Sequence, residues 1–213
     1  MAKANTVSKR GRPTKEQVAR INQAITTAAA DLFLMEGYAA TAMEAVAARA
    51  GISKVTLYNR FPAKADLFAA VVADRVDAWS AEASRHDAQL PSDPRGRLEY
   101  HALILLQSLA HPEIAAFGRL IAAEQRRFPE LARIYRERAL AFEVDLLVGE
   151  IETIARENGQ PPRDARSVAF ALMHSLWGWS SMHTMFDESC SAADQQEAVK
   201  RIVALFVEGR AAW

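Results

Sequence analysis

Cysteine is nearly missing from this chain: Cys190 alone occurs in 213 residues. No intramolecular disulfide can staple the fold, so packing must hold it, and a reducing compartment suits it. Net charge is missing too, since 26 Lys and Arg offset 26 Asp and Glu. No apolar run approaches the roughly eighteen residues that a membrane span needs, and the charged N-terminus has no apolar stretch of a secretory leader. A cytoplasmic protein without a membrane partner is expected. Segments of alternating apolar and polar residues, internal repeats and low-complexity runs are absent as well, which leaves an all-α chain as the expectation. There is no Gly-rich phosphate loop, nucleophile elbow or helical His-Glu-x-x-His, so an enzymatic reading lacks a constellation to carry it. His174 and His183 lie nine apart rather than the four that brings two imidazoles to one metal on a helix, and neither a metal nor a cofactor is expected.

The zero charge conceals an asymmetry. Residues 1–64 hold ten Lys and Arg against four Asp and Glu, a balance of +6, whereas the remainder holds sixteen against twenty-two, a balance of −6. A basic head on an acidic body orients a molecule on a polyanion. A membrane surface could attract the same charge, but the head lacks the wide apolar face of an interfacial helix.

Within the head, Val18, Ile21, Ile25, Ala28, Ala29, Leu32 and Phe33 recur at three and four, which predicts a helix from about Lys15 to Glu36 stopped by Gly37. A second helix is expected from about Ala42 to Ala50, with Thr41 as N-cap and Val46, Ala47 and Ala50 on one face. Gly51 then supplies a left-handed turn, Ile52 drops inward and Ser53 caps a third helix over Lys54 to Arg60. Leu57 and Phe61 face the interior with Ile52, leaving Lys54, Thr56, Tyr58 and Asn59 toward solvent or a groove. Helix, Gly-bearing turn and polar-faced helix make a helix-turn-helix arrangement. The same spacing also fits an ordinary pair of core helices.

The stretch FLMEGYAATAMEAVAARAGISKVTLYNRFPAKADLFAAV resembles the DNA-binding domain of the tetracycline-repressor (TetR) family. The resemblance is carried by Gly37-Tyr38, Thr41, the Ala47-to-Gly51 spacing, Leu57-Tyr58, Phe61, and Lys64 before Leu67-Phe68. It implies a transcriptional regulator, usually a repressor, that binds a palindromic double-stranded operator as a homodimer and is released when a small molecule enters its C-terminal domain. Carried over by position, Thr41 and Ser53 would touch phosphate, Lys54, Thr56, Tyr58 and Asn59 would face the major groove, and Lys64 would clamp backbone phosphate. Two positions depart from the family pattern. Ala63 stands where a Ser or Thr cap is frequent, a loss of about 1 kcal/mol, and Val55 stands where Gly is frequent, so a methyl contact to thymine is the expected use of its side chain.

Beyond the head, a long helix is expected from Lys64 to about Arg85, with Phe68, Val72, Val76 and Trp79 along one stripe. Asp93 and Pro94 mark the N-cap and first position of the next. Further helices are expected over Pro94 to Ala110, Pro112 to Arg127, Pro129 to Glu157, Pro162 to Phe186 and Ala192 to Gly209, broken at the prolines. AEQRRFPELARIYRER resembles a recurring stretch in one branch of the same family. The units expected are a basic arm (1–14), a helix-turn-helix head (15–63) and a helical regulatory and dimerisation body (64–213). ALMHSLWGWSSMHTMF, residues 171–186, is apolar on several sides and carries small residues that let a twin helix approach; with Val199, Ile202, Val203, Phe206 and Val207 of the last helix it is expected to form a four-helix dimer interface. An effector cavity is expected among Trp79, Tyr100, Leu105, Phe117, Leu120, Phe142, Met173, His174 and Trp177, residues for which plain core packing is the competing use.

Lys9-Arg10-Gly11-Arg12-Pro13 resembles the core of an AT-hook, in which Gly lets the backbone lie flat in a narrow minor groove while Arg10 and Arg12 follow its negative potential. A solvated basic tail has the same composition. Deleting residues 1–14 is expected to weaken operator binding and to reduce the slope of log K against log salt by about two, as measured by fluorescence anisotropy across a salt series; an unchanged slope removes the arm from the interface.

Overall fold

The computed structural model describes residues 14–84, 90–159, 164–186 and 190–209, and among them every regular element is a helix. They are α1 (Lys15–Glu36), α2 (Met43–Arg49), α3 (Lys54–Tyr58), α4 (Lys64–Ser84), α5 (Pro94–Leu109), α6 (Pro112–Glu124), α7 (Pro129–Tyr135), α8 (Ala141–Glu157), α9 (Ala165–Met185) and α10 (Ala192–Glu208). Arg10 and Arg12 lie outside the described residues.

Local chemistry sets most of the boundaries. Thr14 and Gln17 exchange side chain and backbone bonds in a capping box at the start of α1, which ends at Gly37 with φ +88°. Only Gly adopts that conformation without strain. Gly51 does the same between α2 and α3 at φ +67°. Ser53 Oγ accepts the Thr56 amide at 3.1 Å, and Asp93 with Pro94 starts α5 as expected. The third helix is shorter than its pattern suggests: Asn59 and Arg60 continue it only as turns, their amides bonded to the Val55 and Leu57 carbonyls.

Two expectations fail at the joint between head and body. Thr41 does not cap α2, which starts at Met43 behind Ala42 with no side-chain cap. It is 2 % exposed, and its hydroxyl donates to the Gly37 carbonyl at 2.8 Å. Lys64 does not reach outward either. Its ammonium donates to the carbonyls of Tyr38 (2.7 Å), Ala39 (3.1 Å) and Thr41 (3.0 Å) and sits 4.7 Å from the centroid of the Tyr38 ring. All three of its donors are used, so none remains for phosphate. Burial lowers its pKa, against which the Glu124 charge acts.

Two cores result. The first joins Ile25, Ala29 and Phe33 of α1, Val46 and Leu57 of α2 and α3, and Leu67, Phe68 and Val71 of α4 to Phe117 and Ile121 of α6 and Leu131 of α7. Aromatic rings run through it from Phe33 to Tyr38 (5.4 Å) and Phe68 (5.7 Å), and from there to Phe128 and Phe117. Each such side chain contributes about 1.5–3 kcal/mol by burial. The second core is built by α5, α8, α9 and α10 around Leu98, Leu106, Leu147, Ile151, Leu172, Leu176 and Val203. Between α7 and α8, where an uninterrupted helix was expected, Arg136–Leu140 forms a π-helical turn. One residue more per turn rotates the following side chains by about 100° relative to the α-helical pattern.

At the start of α4, Asp66 accepts the Ala63 amide at 3.1 Å, half of a capping box whose other half needs a hydroxyl at Ala63. Ala63→Ser is expected to stabilise the fold by about 1 kcal/mol, seen as a rise of roughly 2–4 °C in Tm by differential scanning calorimetry. Lys64→Ala leaves three carbonyls without their donor and is expected to cost about 1–3 kcal/mol in chemical unfolding; no loss of stability would remove this residue from the joint.

Candidate nucleic-acid interface and ligand cavity

α3 is held by one face and displayed by the other. Leu57 is fully buried, with Ile52 and Phe61 half-buried beside it. This anchors five residues of helix whose remaining side chains point away from the core. Val55 is 69 % exposed and Tyr58 41 %, and Ser53, Lys54 and Asn59 are exposed with them. Thr56 is half-buried, its hydroxyl 2.8 Å from Ser53 Oγ. The structure therefore gathers Ser53, Lys54, Val55, Tyr58 and Asn59 onto one surface, with Thr56 partly engaged in the cap, while Thr41 and Lys64 are turned inward and serve the joint.

Glu44 of α2 was not anticipated. Lys54 Nζ lies 3.7 Å from its carboxylate and the Tyr58 hydroxyl donates to it at 3.5 Å. An exposed pair of this kind contributes little stability, but it leans both side chains toward α2. Arg49 pairs with Asp31 at 2.8 Å on the α1 side, and the Arg60 guanidinium donates to Asn22. Arg49 and Arg60 thus brace the head's helices. A short-range pattern in α2 or α3 could not show these contacts, because each joins different helices.

In the body, a cavity of about 450 Å³ lies between α4, α5, α6 and the α7–α8 rod. Trp79, Tyr100, Leu105 and Phe142 line it as expected, together with Val76, Ile104, Leu109, Ile114, Tyr135 and Leu146. The other expected lining residues stand elsewhere. Phe117 and Leu120 belong to the first core, where Phe117 packs on Phe68. Met173 is buried in the second core. His174 and Trp177 point out of α9 into solvent, Trp177 at 56 % exposure. The three α9 residues fail for one reason: α9 turns its buried stripe to α5, α8 and α10, away from the cavity.

Acidic groups were missed on the cavity wall. Glu143 lines it, and burial pushes its carboxyl up to about 7. Tyr135, pushed up to about 12 by burial and then by the Glu143 charge, lies nearby. Glu150 also lines the wall but is held by Arg97, whose Nε donates to both of its oxygens at 2.9 Å. Glu143 could not be assigned inward by helical spacing, because the π turn resets the register just before it.

The outer face of α9 and α10 stays apolar and open. Met182, Met185 and Phe186 are exposed beside Trp177, and Leu205 is 74 % exposed on α10. Gly178 and Ser181 are exposed between them and leave room for close approach. Among the described residues, no helix is long and apolar enough to cross a membrane.

Comparison with known proteins agrees with this geometry. Residues 25–71 match the family model of bacterial regulatory proteins of the tetR family, a span that contains α2, α3 and the start of α4. An uncharacterized HTH-type transcriptional regulator, YdeS of Bacillus subtilis (strain 168), is 33 % identical over 135 residues, which cover 62 % of this chain and 61 % of that protein. The match thus spans under two thirds of this curated relative. Among solved structures, the flavonoid-responsive regulator FrrA is 27 % identical with a TM-score of 0.74, over 90 % of this chain and 97 % of that one. A TetR-family transcriptional regulator of Mesorhizobium loti MAFF303099 is likewise 27 % identical, with a TM-score of 0.71 over 92 % of this chain and 98 % of that one. With the head matched by the family model and the helical body similar to these structures along nearly its whole length, this chain carries the N-terminal domain of the tetR family of bacterial regulatory proteins and shares its overall fold with TetR-family regulators.

Proposed function

We propose that the protein is a sequence-specific DNA-binding transcriptional regulator, in the first instance a repressor, that binds a palindromic operator as a homodimer and leaves it when a small molecule fills the α4–α8 cavity. The observation that carries this reading is α3 itself: a helix fixed at Leu57, with Lys54, Val55, Tyr58 and Asn59 directed away from the protein. Lys54 and Asn59 suit base edges or phosphate, and exposed Val55 suits a thymine methyl. In this reading residues 1–14 are an arm, 15–63 the reading head and 64–213 the regulatory and dimerisation body. Regulators, not enzymes, are its relatives, which supports a non-catalytic role.

The exposed apolar face of α9 and α10 supports dimerisation, since a second copy would bury it about a two-fold axis. Two heads must then sit about 34 Å apart to enter successive major grooves. α4 supports the coupling. Its first half lies in the head core, Lys64 ties its start to the α1–α2 turn, and Val76 and Trp79 line the cavity about 20 Å further along. A ligand that displaces those two residues tilts the lever that spaces the heads. Coupling of about 1–3 kcal/mol shifts affinity 5- to 150-fold. That a relative with this architecture is flavonoid-responsive supports a small-molecule effector over an architectural protein without one.

The test is to sequence genomic fragments retained by the purified protein, then titrate the enriched duplex by fluorescence anisotropy. Lys54→Ala and Tyr58→Ala are each expected to weaken operator binding at least tenfold, with the oligomeric state in sedimentation velocity unchanged. Retention of no duplex at low salt, or a strict monomer, would defeat the reading.

A further inference from the structure

The chemistry of the cavity narrows what can occupy it. Its walls are apolar and aromatic, and its charged lining groups are two carboxylates, Glu143 and Glu150; no Lys or Arg lines it among the described residues. Glu150 is already neutralised by Arg97. Glu143 has no ion-pair partner among the described residues, although it faces a cavity whose other titratable groups are Tyr135 on α7 and Tyr100 and His101 on α5. A carboxyl left without a cation in an apolar wall is destabilised as an anion. It is a site that a positive charge completes.

Aromatic rings add to this. Trp79, Tyr135 and Phe142 come from three helices onto the same space, and ring faces attract cations as well as apolar bodies. The π turn sits at the same wall, contributing Ala139 and Leu140 to the lining, and such turns recur at functional sites because they redirect side chains. An anionic ligand would meet the Glu143 carboxyl with no Lys or Arg of the lining to offset it among the described residues.

We propose that the α4–α8 cavity takes a hydrophobic monovalent organic cation, whose charge lies against the Glu143 carboxylate and whose body packs on Trp79 and Phe142. As the effector, it rests on the reading of the protein as a ligand-released regulator; as a binding site, it stands without that reading.

Glu143 is held protonated below about pH 7, so a cation must expel a proton to bind there. Affinity is then expected to rise about tenfold per pH unit up to that point and to level off above it. Any charge that His101 acquires at low pH adds to the same slope, and a Glu143→Gln variant separates the two.

The experiment uses permanent cations, whose charge does not titrate: tetraphenylphosphonium, methyltriphenylphosphonium and benzyltriethylammonium, with tetraphenylborate as an anion of the first one's shape. Isothermal calorimetry and quenching of tryptophan fluorescence are read from pH 5.5 to 8.5. At least one cation is expected to bind ten or more times more tightly than the borate, with the pH slope described. Glu143→Gln is expected to lose most of the cation affinity and most of the slope, while circular dichroism stays unchanged. The proposal is overturned if no cation binds, if cation and anion bind alike, or if Glu143→Gln changes neither affinity nor slope. The wild-type contrast and slope need no variant, so they decide the matter even if the variant fails to fold. Binding that depends on Glu143 without release of operator DNA would establish the site and reject the gating mechanism; release by some other ligand, with no cation bound, would do the reverse.

Discussion

One ammonium group joins the two halves of this protein. Lys64 stands at the first position of α4 and satisfies three carbonyls of the α1–α2 turn, with the Tyr38 ring beneath it. Those carbonyls lie in a turn, where no helix supplies them with donors. A half-buried cation that meets three acceptors is fixed in direction, so α4 leaves the head at a set angle. Across the same turn, Glu124 of α6 accepts the Ala39 amide at 3.0 Å. Head and body are therefore linked by charged side chains bonded to backbone groups as well as by apolar packing.

The apolar part of that linkage is the row of rings from Phe33 through Tyr38 and Phe68 to Phe117 and Phe128. Three of these residues come from the head and α4, and two from α6 and the turn that follows it. A close-packed interior resists small displacements and transmits them. Arg75 adds a second tie, 3.2 Å from Glu113 between α4 and α6, close to the cavity wall formed by Val76 and Ile114. Whatever fills the cavity thus presses on helices that are already bonded to the head.

Much of this was legible along the chain. The stop of α1 and the start of α5 follow from Gly37, Asp93 and Pro94, each of which acts within a turn of itself. The burial of Leu57, and the exposure of Lys54, Tyr58 and Asn59, follow from the angular spacing of a single helix. The resemblance to a known family rested on the same local features. Thr41, by contrast, has the composition of a cap and is instead a buried strut, and Lys64 has the composition of a phosphate clamp and is instead a structural donor. Their partners lie four and more than twenty residues away.

The cavity shows the division most clearly. Trp79, Tyr100, Leu105 and Phe142 could be chosen as large side chains on facing helices, but Met173, His174 and Trp177 had the same credentials and belong to other surfaces. By itself, the sequence determined which segments are helical, several of the residues that bound them, which face of the third helix is free, and that the basic charge resides in the head, because those properties depend on neighbours along the chain. Tertiary structure alone decided which helix walls the cavity, where the π turn rotates Glu143, and which polar groups are consumed as struts. These depend on pairings between residues far apart in the chain, whose geometry exists only once the helices have packed.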